Sequence, residues 1–522
     1  MIKSSASSAD GTRPSWGLVA WLLFFGLFLL WGYSRNQNFP FWYTWDEGGK
    51  AAQVVSGNRD LHHPLLLINT TEACYRLLAS PPDLQNAAFI GRLISAGFSI
   101  GAALCCSLLA WRLAGPSAGI FAGILVSSNI NALWAAHHFK EDTALWFGWA
   151  LTLLAIQSAQ KKHGAYSWVM VGVAAALCAS GKHIGWMAAA ISLPVAWMLP
   201  ASDHRTRWKR VFVALIAMMA AWCMINYQIL TGLTVFRHEM AREIDFLFHD
   251  SVYTPFPGYN FIHGMGVVTG WGFALYLIQL IRRERKTSWI EGVILCWAAF
   301  YSLLLLFIAR VVSRYYLPLW GMASILAGLA LAQAWQGRTR PGWIRRLTGW
   351  TAPVVVIFQV YIALQWTLRL GREDYRIELA RYLDQNHPQA FVAYDFMADI
   401  PDSGIPERNW HGWTPHTRLM QLPHWYGLKG YDPLSDLRQK GVTHVAINLD
   451  YVARYQQNGP LAHMANGQFA DAPIRLPFYN TLRASGSPVW YRPKGVTMLA
   501  PELALYALPP ANSDIPSRKT EK

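Results

Sequence analysis

Long apolar segments constrain the fold of this 522-residue chain more than any other feature. Eleven of them are separated by short polar connections, and a helix rising about 1.5 Å per residue crosses about 30 Å of hydrocarbon in roughly 20 residues. They lie near residues 15–34, 88–111, 117–136, 142–158, 166–180, 184–200, 211–230, 263–281, 288–309, 315–334 and 349–370. The chain is 53% hydrophobic and only 14% charged, which agrees with this interpretation. We predict a mainly α fold, a polytopic transmembrane bundle of about 11 spans.

The positive charge of the chain predicts its orientation. A formal net charge of +15 would suggest nucleic-acid binding in a soluble protein. Here the basic residues concentrate in short connections such as "DHRTRWKR" (203–210), "RRERK" (282–286) and "GRTRPGWIRR" (337–346). Cytoplasmic loops carry such an excess of Lys and Arg. The amino terminus is therefore predicted to be cytoplasmic, and no nucleic-acid partner is expected.

One apolar run needs a separate decision. Residues 166–199 are interrupted only by "SGKHIG", and a single helix of that length would span about 50 Å, too much for one crossing. Two short spans meeting at Lys182 fit the bilayer and keep the three basic connections on the cytoplasmic side. The two-span arrangement is the one we adopt.

This arrangement brings charged residues from distant parts of the sequence to the outer face. That face receives the loop 35–87, "HHFKED" (137–142), the turn at Lys182, the loop 231–262 and "ARVVSR" (309–314). The charged residues predicted to meet there are Asp46, Glu47, Glu141, Asp142, Lys182, Arg310 and Arg314. Charged groups at membrane depth are costly and mark functional sites by default.

The last 150 residues differ in character from the rest. "DYRIELARYLDQN" has helical spacing, "AFVAYDF" and "VTHVAIN" are typical of strands, and "PLSDLRQKG" is typical of a short helix ended by Gly441. We predict a transmembrane region over residues 1–371, a small extracytoplasmic α/β domain over 372–508, and a disordered tail over 509–522.

The acidic residues are the candidates for acid-base chemistry. Asp46 and Glu47 follow four aromatic residues, and the pair is either the ordinary start of a polar loop or a general base held at the membrane surface. Glu47 is open to three interpretations: a helper of Asp46, a metal ligand, or the first residue of an amphipathic helix. Glu141 and Asp142 start a span, where acids also cap helices, so which of them is functional stays open.

The cations are the candidates for binding an anion. Lys182 either extends to the interface or holds an anion between two short helices. Arg310 and Arg314 are four residues apart, on one helical face, and either anchor the span or bind a phosphate. His137, His138 and Glu141 have only weak metal-site spacing, so no metal site is assigned, although a divalent metal is left open.

Carboxylates and cations on one face of a helical bundle suggest one type of reaction. A carboxylate deprotonates a hydroxyl acceptor, which attacks the anomeric carbon of a lipid-phosphate sugar, while cations stabilise the departing phosphate. A single displacement of this kind inverts the anomeric configuration.

Several motifs, in order, resemble those of the GT-C glycosyltransferases. They are the Asp-Glu after the first span, "HHPLLL" in the following loop, the acids that start the fourth span, the Gly-Lys between two short spans, and "SRYYLPL". The resemblance covers roughly residues 15–370 and is to the branch that includes protein O-mannosyltransferases and aminoarabinose transferases. "LRQKGVTHVAINLDYVARY" resembles part of the outer domain of many relatives.

The resemblance implies roles for particular residues. Asp46 matches the family's acid on the first outer loop, the catalytic base or acceptor-orienting group, with Glu47 beside it. Glu141 and Asp142 match the second acidic site. The positions implied to meet the donor phosphate are Lys182, Arg310, Arg314, Tyr315, His62 and His63.

We therefore predict an inverting transferase in a membrane, with a bacterial inner membrane expected. Its partners would be a polyprenyl-phosphate-linked sugar donor, a lipid, glycan or protein acceptor, and membrane lipids. The main alternative is a transporter or flippase of an anionic lipid-linked sugar, and another is a scaffold with an inactive transferase core. Charges gathered on one side, with a single broken helix, favour the enzyme.

Overall fold

The computed structural model describes most of the chain, and the statements below concern those residues. They are 16–37, 46–78, 83–162, 164–200, 203–248, 264–285, 287–308, 313–339, 342–370, 375–395, 398, 418–422, 432–450, 452–453, 472–495 and 501–508. The predicted tail 509–522, Arg310 and the aromatic residues 41–45 lie outside them.

The transmembrane region is built from helices that follow the apolar segments. The helices before the Lys182 break are α1 Trp16–Tyr33, α2 Asp46–Ser56, α3 Leu66–Leu78, α4 Leu84–Ala114, α5 Pro116–Ser127, α6 Ile130–Ala136, α7 Asp142–Lys162 and α8 Ala165–Gly181. Those after it are α9 Met187–Met198, α10 His204–Ile225, α11 Tyr227–Thr231, α12 Leu233–Phe248, α13 Val267–Ile281, α14 Trp289–Phe307, α15 Leu317–Gly337 and α16 Trp343–Leu370. Each of the eleven apolar segments overlaps at least one helix, so their helical character is confirmed.

Six helices in the described part are long and apolar enough to cross a membrane, or seven if α5 and α6, bent by 65°, form one span. Three shorter apolar helices, at 165–181, 183–198 and 267–281, lie among them. The protein is therefore an integral membrane protein, while the full count of eleven crossings stays a prediction.

The helix break at Lys182 is confirmed. α8 ends at Gly181, Lys182 is extended at φ −159° and ψ 150°, and a 3-10 turn over His183–Trp186 precedes α9. The two glycines around the break make close contacts. A Cβ on Gly181 would lie 2.4 Å from the Leu145 nitrogen of α7, and one on Gly185 would lie 2.0 Å from the Cys178 carbonyl oxygen of α8. The break is thus held by backbone packing that only glycine permits.

The core of the bundle surrounds α15, whose residues from Leu317 to Ala332 are buried without interruption. α15 packs against α5, α13 and α16, and α4 and α8 both pack against α7. A helix that is apolar on every side belongs in such a position. The segment 137–141, which leads into α7, contacts α2 through its side chains and backbone.

The carboxyl-terminal region contains the predicted α/β structure. α17 Tyr375–Asn386, α18 Pro433–Gln439 and α19 Ala472–Ala484 accompany strands β1 Phe391–Tyr394, β2 Arg418–Gln421, β3 His444–Asn448, β4 Trp490–Arg492 and β5 Leu503–Ala507. The strand order is β2-β1-β3-β5-β4, with the first three parallel and β5 antiparallel to β3 and β4.

The predicted helix at 375–386, helix at 433–439 and strands β1 and β3 are confirmed, and Gly441 has the positive φ of +80° expected after a helix. β2, β4 and β5 were not predicted. β5 has the sequence Leu-Ala-Leu-Tyr-Ala, and because Leu and Ala favour helices its composition does not indicate a strand. The domain boundaries themselves stay a prediction.

Candidate active site

The first two residues of α2 have opposite environments. The side chain of Asp46 is 48% exposed, whereas that of Glu47 is fully buried. Consecutive helical residues point about 100° apart, so a carboxylate pair at a helix start places one member outward and the other inward. Asp46 is thus the member of the pair that a substrate can reach.

Glu47 ties three parts of the chain together. Its oxygens accept hydrogen bonds from Arg92 Nε at 3.3 Å and Nη2 at 2.8 Å, and from the Phe139 backbone N–H at 2.8 Å. Burial alone would raise the pKa of Glu47, but the Arg92 guanidinium more than offsets this, and the pKa is lowered. Glu47 is held as a carboxylate that joins α2 to α4 and to the segment 137–141.

Two further ion pairs cross between α2 and that segment. Lys140 Nζ contacts the Asp46 carboxylate, and Lys50 Nζ lies 2.6 Å from Glu141 Oε1. Lys50 also donates to the Phe139 carbonyl oxygen at 3.1 Å. Asp46 and Lys50 are four residues apart on α2 and therefore share a face, which is why they meet the neighbouring residues Lys140 and Glu141.

Asp142, at the start of α7, joins two cations. Its Oδ1 accepts a hydrogen bond from Lys182 Nζ at 2.8 Å, and its Oδ2 lies 3.2 Å from Arg314 Nε. Lys182 Nζ also lies 4.0 Å from the centre of the Tyr315 ring. Two cations thus share one buried carboxylate.

The charged residues just described form one group, which we call the ion-pair cluster. Its members are Asp46, Glu47, Lys50, Arg92, Lys140, Glu141, Asp142, Lys182 and Arg314. Within this group five basic side chains face four carboxylates, and two of the basic side chains, Lys182 and Arg314, share Asp142. This end of the cluster is suited to an anion.

A pocket of about 70 Å³ opens at that end of the cluster. The residues that line it include Lys182, Tyr315, Tyr301, His63 and, from α12, Glu243. The Tyr301 hydroxyl donates to the Tyr315 carbonyl oxygen at 2.9 Å and so fixes the residue whose ring faces Lys182. The pocket therefore joins a cation, Lys182, and a carboxylate, Glu243, to apolar and aromatic walls.

The two histidines predicted to meet a phosphate differ from each other. His62 Nδ1 lies 2.9 Å from Asp60 Oδ2, outside the pocket, and His63 lines the pocket. Burial lowers the pKa of His63 to about 3. At neutral pH it can therefore contribute a hydrogen bond to the pocket but no charge.

The histidines of "HHFKED" end α6. His137 Nδ1 lies 2.6 Å from the Leu133 carbonyl oxygen, and His138 Nδ1 lies 2.5 Å from that of Trp134. Glu141 is paired with Lys50. Across the described ranges, no three His, Cys, Asp or Glu side chains are grouped to hold a metal ion.

Sequence reasoning missed three cations of the cluster. Arg92 lies inside an apolar span, and a charged residue at that depth was the signal that indicates a buried partner. Lys50 stands four residues after Asp46, and Lys140 directly precedes Glu141. Their pairing partners became visible only when α2 was placed against the segment 137–141.

The comparison with known proteins gives relatives in structure but not in sequence. No family model and no curated protein matches the sequence. The crystal structure of ArnT from Cupriavidus metallidurans bound to undecaprenyl phosphate matches with a TM-score of 0.55 and 14% identity, over 84% of this chain and 95% of that one. The archaeal oligosaccharyltransferase AglB from Archaeoglobus fulgidus, in complex with an inhibitory peptide and a dolichol-phosphate, matches with a TM-score of 0.52 and 13% identity, over 86% and 72%.

Both are GT-C glycosyltransferases, and the match extends over most of this chain. At such low identity the match is evidence for a shared fold. The fold implied by the motif resemblance is thereby confirmed: this chain has the fold of the GT-C glycosyltransferases.

Proposed function

We propose that this protein is an inverting glycosyltransferase that moves a sugar from a polyprenyl-phosphate donor to a hydroxyl acceptor on the outer face of the membrane. The observation that carries the proposal is the ion-pair cluster. It has a half-exposed carboxylate, Asp46, at one end and two cations sharing one carboxylate beside a pocket at the other.

The donor phosphate would bind at the end of the cluster where Lys182 and Arg314 share Asp142. Lys182 and Arg314 would contact its oxygens, and Tyr315 and His63 would line its pocket. The two proteins of the same fold bind undecaprenyl phosphate and a dolichol-phosphate, which supports a polyprenyl phosphate as the ligand. Arg310, in the same motif as Arg314, is proposed to assist them.

The transfer would be a single displacement. Asp46 accepts the proton of the acceptor hydroxyl, whose oxygen attacks the anomeric carbon. The bond between that carbon and the phosphate oxygen breaks, and the phosphate leaves with the bonding electron pair, its charge matched by Lys182 and Arg314. Attack opposite the leaving group inverts the anomeric configuration. Glu47 and Glu141, each buried against a cation, would hold α2 and the segment 137–141 in place.

Purified protein tests the proposal directly. With a radiolabelled polyprenyl-phosphate sugar and a membrane extract as the source of acceptor, the wild type should transfer label. Asp46→Asn should lose about 10²- to 10⁴-fold of the transfer rate, the usual contribution of general base catalysis. Asp436→Asn is the control, because it removes a carboxylate of α18 that is only partly buried and is paired with Lys440 at the end of that helix.

Two results would contradict the proposal. Full activity in Asp46→Asn would remove Asp46 from the mechanism. Movement of labelled lipid across proteoliposomes without transfer would identify a transporter of lipid-linked sugar instead. The anomeric configuration of the product, read by NMR coupling constants, separately tests inversion.

The proposed orientation places the amino terminus in the cytoplasm and the carboxyl-terminal region outside. A reporter enzyme that is active only outside the cytoplasm, fused after residue 371, should be active. The same reporter fused after residue 210, in a basic connection, should be inactive. Activity of the second fusion alone would reverse the orientation.

A further inference from the structure

The proposed transfer gives no role to Lys140, a lysine that is 3% exposed and sits between the two ends of the ion-pair cluster. Burying an ammonium group costs several kcal/mol unless a carboxylate compensates it. The carboxylate that Lys140 contacts is Asp46. The proposed base therefore has a buried cation as its direct partner.

Lys50 provides an internal comparison. It is equally buried, and its ammonium group is satisfied by Glu141 at 2.6 Å and by the Phe139 carbonyl oxygen. Glu141 is 1% exposed, so that pair is closed to substrate. The pair formed by Lys140 ends instead on the carboxylate that is half exposed. Of these two crossed pairs, the one with Lys140 faces the side from which an acceptor would approach.

The backbone of Lys140 is fixed. Its N–H donates to the His138 carbonyl oxygen at 2.8 Å and lies 3.4 Å from Ser95 Oγ of α4. The side chain starts from this fixed point and reaches Asp46, while the described residues that line the pocket beside Lys182 do not include Lys140. Its direct contact is therefore with the base, and the pocket is lined by other residues.

We propose that Lys140 is a positioning residue for the transfer: its ammonium group fixes the orientation of the Asp46 carboxylate and keeps it ionised, without touching the donor. This inference rests on the proposed function. A neighbouring cation favours the charged form of a carboxylate, and a side chain locked by an ion pair presents its free oxygen to the acceptor in one geometry.

Kinetics separate positioning from mere support of the fold. Lys140→Met should lower kcat at least tenfold and leave KM for the lipid-linked donor within about twofold. Lys140→Arg should recover much of the lost kcat because it restores the cation. Lys50→Met removes an equally buried lysine whose partner is Glu141 and not Asp46, so at a similar Tm its kcat should be at least fivefold higher than that of Lys140→Met.

Chemical rescue adds a measurement that a purely structural role would not affect. In Lys140→Ala, methylammonium should raise kcat in a saturable manner, because it can occupy the space of the lost ammonium group. Tetramethylammonium, which has no N–H donor, should not.

A labelling experiment tests the inference without any transfer activity. Dicyclohexylcarbodiimide modifies protonated carboxyl groups, and mass spectrometry can quantify the peptide that contains Asp46. At pH 7 we expect modification of Asp46 to rise several-fold in Lys140→Met and to stay at the wild-type level in Lys50→Met.

The outcomes distinguish the two proposals. If the wild type transfers no sugar from any polyprenyl phosphate tested, the proposed function fails, and the labelling of Asp46 still decides whether Lys140 keeps it ionised. Unchanged labelling in Lys140→Met overturns the inference, whether kcat falls or not. So does a loss of kcat that neither Lys140→Arg nor methylammonium reverses.

Discussion

Two groups of charged residues in the membrane region are both built from ion pairs, but they differ in how many cations share each carboxylate. One is the ion-pair cluster. The other joins Arg285, Glu291, Tyr276 and Ser288 at the start of α14, and we call it the Glu291 cluster. In the Glu291 cluster one cation meets one carboxylate, whereas the ion-pair cluster contains more cations than carboxylates.

The Glu291 carboxylate is fully engaged. Arg285 donates to its two oxygens at 2.9 and 3.0 Å, Tyr276 donates to Oε2 at 3.0 Å, and Ser288 donates to Oε1 at 2.8 Å. Ser288 and Glu291 also form a reciprocal cap of α14. Such a group stabilises a helix start and has little capacity left for a ligand.

The difference shows where function is to be sought in a buried charge network. Matched and hydrogen-bonded charges hold the fold together, as at Glu291 and at Glu47. Charges that share a partner beside a pocket, as Lys182 and Arg314 share Asp142, are free to gain from an added anion. Burial alone does not separate the two kinds, because both are buried.

The largest effect on stability is expected at the Glu47–Arg92 pair. Glu47→Gln leaves the Arg92 guanidinium buried without its carboxylate and should lower the free energy of unfolding by about 3–5 kcal/mol. Thermal unfolding in detergent measures it. A change of Tm as small as that of Asp436→Asn would show that Glu47 is not one of the matched charges that hold the fold together.

The next largest effect is expected from substituting one arginine in each cluster, which compares their effects on activity and on stability. Arg314→Met should lower kcat/KM for the donor about 10²- to 10³-fold, since it removes a group that stabilises the leaving phosphate, while Asp142 keeps Lys182 and stability changes little. Arg285→Met should do the reverse, lowering Tm with kcat/KM per folded molecule retained. If Arg314→Met and Arg285→Met lower kcat/KM equally, the two clusters do not differ in function as described.

The smallest expected effect is the loss of stability at acid pH, which tests the ionisation of Glu47. The folded-state pKa of Glu47 is lowered from its ordinary value of 4.5, so the unfolded chain binds a proton that the folded chain does not between the two values. The stability that Glu47 contributes is complete above about pH 4.5 and falls as the pH drops towards its folded pKa, by at most about 1.4 kcal/mol per pH unit. The Tm of wild type should fall more steeply over this range than that of Glu47→Gln. Parallel pH curves for the two proteins would show that Glu47 is not titrating as described.

Much of the architecture could be predicted without coordinates. The apolar segments specify helices because a chain in lipid must satisfy its backbone hydrogen bonds internally. The break at Lys182 followed from length, β1 from the strand-like segment "AFVAYDF", and β3 from the alternation in "VTHVAIN". β5 was not predicted because Leu and Ala, which favour helices, make up four of its five residues.

By itself the sequence determined that this protein is a helical membrane protein with a small α/β region, and that Asp46, Asp142, Lys182 and Arg314 are candidates for one site. Only the tertiary structure decided how the charges pair. It buried Glu47 against Arg92, left Asp46 half exposed beside Lys140, and gave Asp142 two cations. The physical reason is that hydropathy and length are properties of single segments. The partner and exposure of a charged side chain depend on helices far apart in sequence, such as α2, α4 and α7, coming into contact.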